Sequence, residues 1–225
     1  MKLFSYWRSS SSWRVRIALD FKGIAYGYEA VHLVENGGEH HRASYRARNP
    51  MAQLPTLEIQ GAQASGGAPR YLGQSMAILE YLEETHPKPA LLPTDPFLRA
   101  RARQLAEIVN SGIHPLQNLH LMQRLKASFQ VDGAPVDARK WCAPFIADGL
   151  KAFELLSAES AGRFSVGDAL SFADLCLIPQ LYNARRFDVD LSVYPLLLQI
   201  EQNCLALDAF KSSHPDAQPD AVIAG

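Results

Sequence analysis

The spacing of apolar and polar positions changes several times over the first ninety residues and then settles into one helical rhythm. Residues 2–6 (Lys2-Leu3-Phe4-Ser5-Tyr6) alternate, which is the period-two signature of a strand. Residues 13–22 then bring Trp13, Ile17 and Phe21 to one face, with Val15 and Ala18 close by. That predicts a helix, stopped by Gly23. A second alternating run, Tyr26 to Leu33, predicts another strand; a strand–helix–strand order predicts parallel pairing through a right-handed crossover. A polar stretch from Glu35 to Arg48 leads to Asn49-Pro50, and Leu54 to Ile59 reads as a short strand opening at a proline. Residues 60–69 are small, Gly-rich turn material. Arg70-Tyr71-Leu72 can return as an antiparallel partner, and Gln74-Ser75 opens a helix with Met76, Ile78, Leu79 and Leu82 on its apolar side. The order is β-α-β, an extended segment, then β-β-α.

Pro87, Pro89, Pro93 and Pro96 follow in close succession, which forbids a regular helix and keeps the chain extended. A domain boundary is placed there, dividing residues 1–88 from residues 89–225. Beyond it the pattern is helical almost throughout, over residues 97–126 with a kink expected at Pro115, then 137–157, 171–185 and 193–205. Gly133-Ala134-Pro135 and Gly162 to Gly167 punctuate these helices. The fold class is α/β followed by all-α.

Composition narrows the function. Of 225 residues, 48% are hydrophobic and 20% charged, and the formal net charge is −1. A basic surface for nucleic acid or an anionic membrane is therefore not expected. No window approaches the roughly 20 apolar residues of a membrane span. The opening strand has no basic segment followed by an apolar run, so no signal peptide is expected. The three cysteines, Cys142, Cys176 and Cys204, are widely spaced in helical patterns. They predict buried, reduced thiols rather than a disulfide framework or a zinc site. No His-x-x-x-His pair marks a helix face, and no metal is expected.

Candidate chemistry begins at Arg8-Ser9-Ser10-Ser11-Ser12-Trp13, between a strand end and a helix start. Serine caps helix N-termini, but one serine suffices. A helix N-terminus is also an anion site, where a thiolate is stabilised and a thiol pKa lowered from about 8.5. Both readings stand on the residues alone. Leu54-Pro55 is a candidate cis peptide, which would present the Leu54 N–H and C=O to an extended peptide ligand. Gln74-Ser75 is a second helix start, either a cap or a carboxylate site. Two such starts in one small domain suit a ligand bearing a thiol and carboxylates. Ser171-Phe-Ala-Asp174 is a capping box. Arg185-Arg186 complements a helix C-terminus and usually faces solvent, although Arg186 with Arg8 would suit a dicarboxylate.

Arg8-Ser-Ser-Ser-Ser-Trp-Arg-Val-Arg-Ile-Ala-Leu19 resembles the signature of zeta-class glutathione transferases, and the resemblance continues through Leu54-Pro55-Thr56-Leu57, Gln74-Ser75, Pro115-Leu-Gln-Asn-Leu119, Ala173-Asp174 and Arg186-Phe187. It implies a thioredoxin-like glutathione-binding domain followed by a helical domain that helps hold the second substrate. It also implies a glutathione-dependent isomerase, with maleylacetoacetate isomerisation as the best-known activity. Maleylpyruvate isomerisation, transfer or dehalogenation of small α-halo acids, and a non-catalytic binding module are the alternatives. Residue by residue, Ser9 matches the serine that supports the glutathione thiolate and Ser10 its neighbour. Ser11 stands where many members carry cysteine. His40 falls at the tripeptide's glycine end, Leu54 before Pro55 pairs with its cysteinyl backbone, and Gln74 and Ser75 hold its γ-glutamyl carboxylate. His114 and Asn118 follow in the second domain. Arg8 and Arg186 match positions that bind carboxylates of a small cis-unsaturated dicarboxylic keto acid. The resemblance further implies a homodimer, the reduced thiols point to the cytoplasm, and the Gln60–Gly73 loop is longer than the class predicts.

Overall fold

The computed structural model describes residues 1–60 and 67–222. Close contacts divide the chain into two units, residues 1–90 together with 205–225, and residues 91–204. The C-terminal segment thus groups with the first unit, whereas the sequence pattern assigns all of 89–225 to the second. Besides the fully buried Phe210, its attachment is made by specific polar contacts that a search for apolar periodicity does not register: Trp13 Nε1 donates to Ser213 Oγ at 3.0 Å, and Arg16 Nε to the Ser213 carbonyl at 3.1 Å.

In the first unit, β1 (Lys2–Ser5), α1 (Ser10–Phe21) and β2 (Gly27–Ala30) form the expected parallel crossover. A one-turn α2 (Ala43–Arg46) follows within the stretch that the sequence marks only as polar. Next come β3 (Thr56–Ile59), β4 (Arg70–Gly73) and α3 (Ser75–Thr85). The sheet order is β2-β1-β3-β4, with β3 antiparallel to both neighbours. Part of the turn predicted over 60–69, residues 61–66, lies outside the described residues. Leu3, Val15, Ile17, Leu19, Leu57, Ile78, Leu79 and Leu82 are fully buried and carry the α1–sheet–α3 core. Gly23, at φ +65°, ends α1 in the left-handed region that glycine enters without a Cβ clash. Lys22 is buried beyond the helix: its Nζ donates to Glu83 Oε2 at 2.7 Å and to the His86 and Pro89 carbonyls at 2.8 Å.

The second unit is helical. Asp95 caps α4 (Pro96–Glu107) by accepting from the Leu98 N–H at 2.8 Å. The predicted interruption near Pro115 takes the form of a π turn over Ile108–Ile113 and a 3-10 turn over His114–Gln117. A proline without an N–H is tolerated in the first turn of such a segment. Then come α5 (Leu119–Ser128), α6 (Ala138–Ser157), α7 (Phe172–Arg186) and α8 (Pro195–Leu205). The last short helix, α9 (Asp208–Ser212), packs with the first unit against α1. Between α5 and α6, two-residue strands β5 (Gln130–Val131) and β6 (Ala134–Pro135) pair across Asp132-Gly133, both at positive φ. That is the Asp-Gly hairpin turn, which the helical pattern around it reduces to punctuation. α7 forms the centre of the unit: nearly every residue from Phe172 to Ala184 is buried. The capping box opens it, with Asp174 Oδ2 accepting from the Ser171 N–H at 2.8 Å and Oδ1 from the Ser165 N–H at 2.8 Å. No helix among the described residues is long and apolar enough to cross a membrane.

Candidate functional site

Register decides which predicted residues meet. Phe4 pairs with Thr56 and Thr56 with Gly73, so the C-terminal ends of β1 and β4 and the N-terminal end of β3 lie on one edge of the sheet. Because β2 runs parallel to β1, its C-terminal end falls on that edge too. Ser9 follows β1, Leu54-Pro55 precedes β3, Gln74-Ser75 follows β4, and the His40 segment follows β2. Three groups that are far apart in sequence thus leave from one edge for a topological reason, while His40 lies ten residues beyond the end of β2, where register alone does not place it.

Ser9 is the N-cap of α1. Its extended backbone (φ −73°, ψ 114°) lets Oγ accept from the Ser12 N–H at 3.2 Å. Capping therefore accounts for Ser9 and not for the serines after it. Among the described residues the Ser9 hydroxyl spends its acceptor side on the helix and donates its proton to no group, so the proton remains available to a ligand. Arg8 extends over the Trp7 ring, its Cζ 5.2 Å from the ring centroid. Ser10 and Ser12 are buried.

The Leu54–Pro55 bond is cis. The approach to it is fixed by buried polar contacts: Tyr45 Oη and Asn49 Nδ2 donate to the Gln53 carbonyl at 2.6 and 3.0 Å, and Asn49 Nδ2 also donates to Thr56 Oγ1 at 3.0 Å. Gln74 is exposed and held at φ +69°, ψ 115°, a strained backbone for a residue with a Cβ; such strain clusters at ligand clamps. Its Nε2 donates to Gln53 Oε1 at 3.1 Å, which links the α3 start to the cis-proline loop. Ser75 is buried, and its Oγ accepts from Arg14 Nη1 at 3.2 Å, so α1 supplies a cation beneath the second helix start.

His40 is buried in a 3-10 turn and stacks on His41, ring centroids 3.9 Å apart, although the two cannot share a face of an α-helix. Gly38 at φ +90° leaves room for the His40 ring where a Cβ would overlap it. Burial, then His41, then Arg46 hold the His40 pKa below its ordinary value. Its Nδ1 has no partner among the described residues.

In the helical unit, His114 is half-buried at the start of the 3-10 turn, and Asn118 caps α5 by accepting from the His120 N–H at 3.0 Å. The arginine doublet splits. Arg185 faces solvent as the sequence predicts and from there also forks onto Glu201 with two 2.6 Å contacts. Arg186 Nη1 donates to Asn183 Oδ1 at 2.9 Å, and the residue lines a cavity of about 440 Å³ with Leu119, Met122, Lys126, Arg139 and Phe187. Lys126 and Arg139 carry no signal in sequence, because only the packing of α5 beside α6 brings them to Arg186.

Two helix N-termini, an unspent hydroxyl proton, a strained glutamine and an orphaned buried imidazole nitrogen fit a thiol-bearing peptide with carboxylates. Residues 3–90 match the family model described as the N-terminal domain of glutathione S-transferase. That is the class of protein the fold and its sheet-edge site define. The chain is 45% identical to a maleylacetoacetate isomerase of Dictyostelium discoideum, over 97% of this chain and 95% of that one. A solved maleylacetoacetate isomerase from Anaeromyxobacter dehalogenans, with GSH bound in its active site, superposes with a TM-score of 0.87 at 51% identity, covering 98% and 97% of the two chains. The holo structure of a maleyl pyruvate isomerase, described as a bacterial zeta-class glutathione S-transferase, gives 0.88 at 42% identity, covering 99% and 100%. The chain belongs to the zeta class of glutathione transferases.

Proposed function

We propose that this protein is a glutathione-dependent cis–trans isomerase that converts maleylacetoacetate to fumarylacetoacetate. The observation that carries the reading is the Ser9 hydroxyl: its acceptor is committed to the helix cap and its proton has no acceptor among the described residues, at the edge from which the Leu54-Pro55 and Gln74-Ser75 segments also leave. When bound, glutathione supplies the thiolate whose addition to and departure from the cis double bond allows rotation, and it emerges unchanged.

The chain's own residues provide the rest. Ser9 donates its proton to the sulfur and, with the α1 N-terminus and neighbouring Ser10 and Ser11, favours the thiolate. The Leu54 backbone before Pro55 pairs with the cysteinyl peptide unit, as in strand addition. Gln74 and Ser75 hold the γ-glutamyl carboxylate over the Arg14 guanidinium, and His40 contacts the glycine end. His114 and Asn118 contribute further contacts from the helical unit, which provides the second-substrate site. Arg8 and Arg186 bind the carboxylates of the substrate, orienting it and stabilising charge that develops along the dicarbonyl system. The working form is a cytoplasmic homodimer, a reading supported by the family resemblance.

The test is isomerisation of maleylacetoacetate and of maleylpyruvate, side by side, with and without glutathione. Turnover of maleylacetoacetate only when glutathione is present supports the reading, and glutathione-dependent turnover of maleylpyruvate alone overturns the substrate assignment. Binding of glutathione with turnover of neither overturns it.

A further inference from the structure

The segment that carries Arg8 and Ser9 is gripped from both sides at Trp7. Arg16, fully buried on α1, donates from Nη2 to the Trp7 carbonyl at 2.9 Å and from Nη1 to the Tyr6 carbonyl at 3.3 Å. From the opposite direction, the Trp7 N–H donates to Asp220 Oδ2 at 3.0 Å. Asp220 lies at the far end of the chain and is itself fixed by Tyr28, whose hydroxyl donates to Oδ1 at 2.6 Å. The tail leading to it is tied down as well: Gln218 Nε2 donates to the Ser212 and His214 carbonyls at 3.1 and 2.9 Å, and His214 packs edge-on against Trp13, centroids 5.2 Å apart. Trp7 carries the ring over which Arg8 lies, and Tyr6, one residue earlier, accepts the Ser9 N–H at 3.0 Å.

We infer that Asp220 is a positioning residue for the reaction: by holding the Trp7 amide, the C-terminal tail sets where Ser9 and Arg8 present their donors. The carboxylate touches neither the sulfur nor the substrate in this scheme; it acts through one peptide unit. The role rests on Ser9 being the thiol's hydrogen-bond donor. An ionised carboxylate accepting an amide N–H is a charge-assisted bond, and a displacement of about 1 Å at a reacting group can cost roughly a hundredfold in rate. Geometry rather than charge is the operative property. Asparagine at 220 can accept from Trp7 through its oxygen and donate to the Tyr28 oxygen through its amide, keeping both links without the charge.

The experiment compares Asp220→Ala and Asp220→Asn in the full chain, measuring kcat and KM for the isomerised acid and the pKa of the bound glutathione thiol from its thiolate absorbance. Asp220→Ala is expected to lower kcat roughly ten- to hundredfold, with the thiol pKa moved upward and KM changed far less. Asp220→Asn is expected to retain most of the activity and the low thiol pKa. Should Asp220→Ala fail to accumulate as folded protein, Asp220→Leu, closer in shape to the carboxylate, takes its place in the same comparison. Unchanged kcat and thiol pKa on loss of both hydrogen bonds overturns the inference. So does equal impairment of the Asn variant, which would assign the effect to charge. Ser9→Ala in parallel separates the two levels: if it remains fully active, the thiolate reading itself fails, whereas loss in Ser9→Ala with none in Asp220→Ala sinks only the positioning role.

Discussion

Ser9 caps a helix, and the proposed donation to the glutathione thiolate falls on the same hydroxyl, so the two roles separate by mutation. Ser9→Ala removes the acceptor that satisfies the Ser12 N–H, a capping loss of about 1 kcal/mol, or roughly 2–4 °C in Tm for a chain of this length. It also removes the proposed donor to the thiolate, and a hydrogen bond to a charged group contributes about 1.5–3 kcal/mol. At about 1.4 kcal/mol per pKa unit, the bound thiol should rise by about 1–2 units, and turnover near neutral pH should fall about ten- to hundredfold. The loss should shrink as the assay is made more alkaline, because the thiolate then forms without help. Ser9→Asp keeps the cap alone, since its carboxylate still accepts at the helix N-terminus and suits the dipole there, but when ionised has no proton to give. It should melt at or above the wild-type temperature and be inactive. Ser9→Thr keeps both functions and should remain within severalfold of wild type. The assays are thermal melting, thiolate absorbance of the glutathione complex, and kcat against pH. A Ser9→Ala enzyme with an unshifted thiol pKa and full turnover, or an active Ser9→Asp enzyme, would refute the reasoning.

Three further outcomes follow from the packing. Lys22→Met strips a buried ammonium from Glu83 and from two carbonyls, and should destabilise by about 3–5 kcal/mol in chemical denaturation; adding Glu83→Gln should restore a large part of it, and a double variant no better than the single would contradict the account. The His40 pKa is depressed chiefly by burial, so as pH falls the unfolded chain takes up its proton first. The contribution of His40 is therefore complete above its unfolded pKa of about 6.5 and is lost as pH falls through the folded value; His40→Gln should flatten that slope in Tm measured from about pH 8 to about pH 5. Burial pushes the Cys142 and Cys204 thiols up, and Cys176 is equally enclosed, so a thiol-reactive dye should label none of the three in the native protein and all three after denaturation.

What is legible in the sequence is whatever recurs locally. The alternation at Lys2–Tyr6, the four-residue spacing of Trp13, Ile17 and Phe21, and the proline cluster after His86 each report a neighbour-to-neighbour rule, and the structure follows them. The candidate site is legible in part because Ser9, Leu54 and Gln74-Ser75 all sit where an element begins or ends. Their convergence is not, since it depends on β3 running antiparallel to β1 and β4. Lys126 and Arg139 beside Arg186, Arg14 beneath Ser75, and Asp220 on the Trp7 amide are pairings between distant segments that leave no periodic trace. The last also helps explain why the pattern places the tail in the helical domain: one short helix with a single fully buried side chain, Phe210, and isolated hydrogen bonds attach it, too little to show as an apolar stripe. The contact between the His40 and His41 rings is hidden for a different reason, because it depends on side-chain rotamers and on the room that Gly38 leaves, which residue spacing does not report.

The central claim is that glutathione acts as a recycled cofactor, and the most direct measurement follows one reaction by proton NMR with glutathione far below the concentration of maleylacetoacetate. Complete conversion of the cis acid to the trans acid is expected, with the glutathione resonances undiminished at the end. Reaction that halts after one product per glutathione, with a thioether accumulating, would contradict it and make the protein a conjugating transferase.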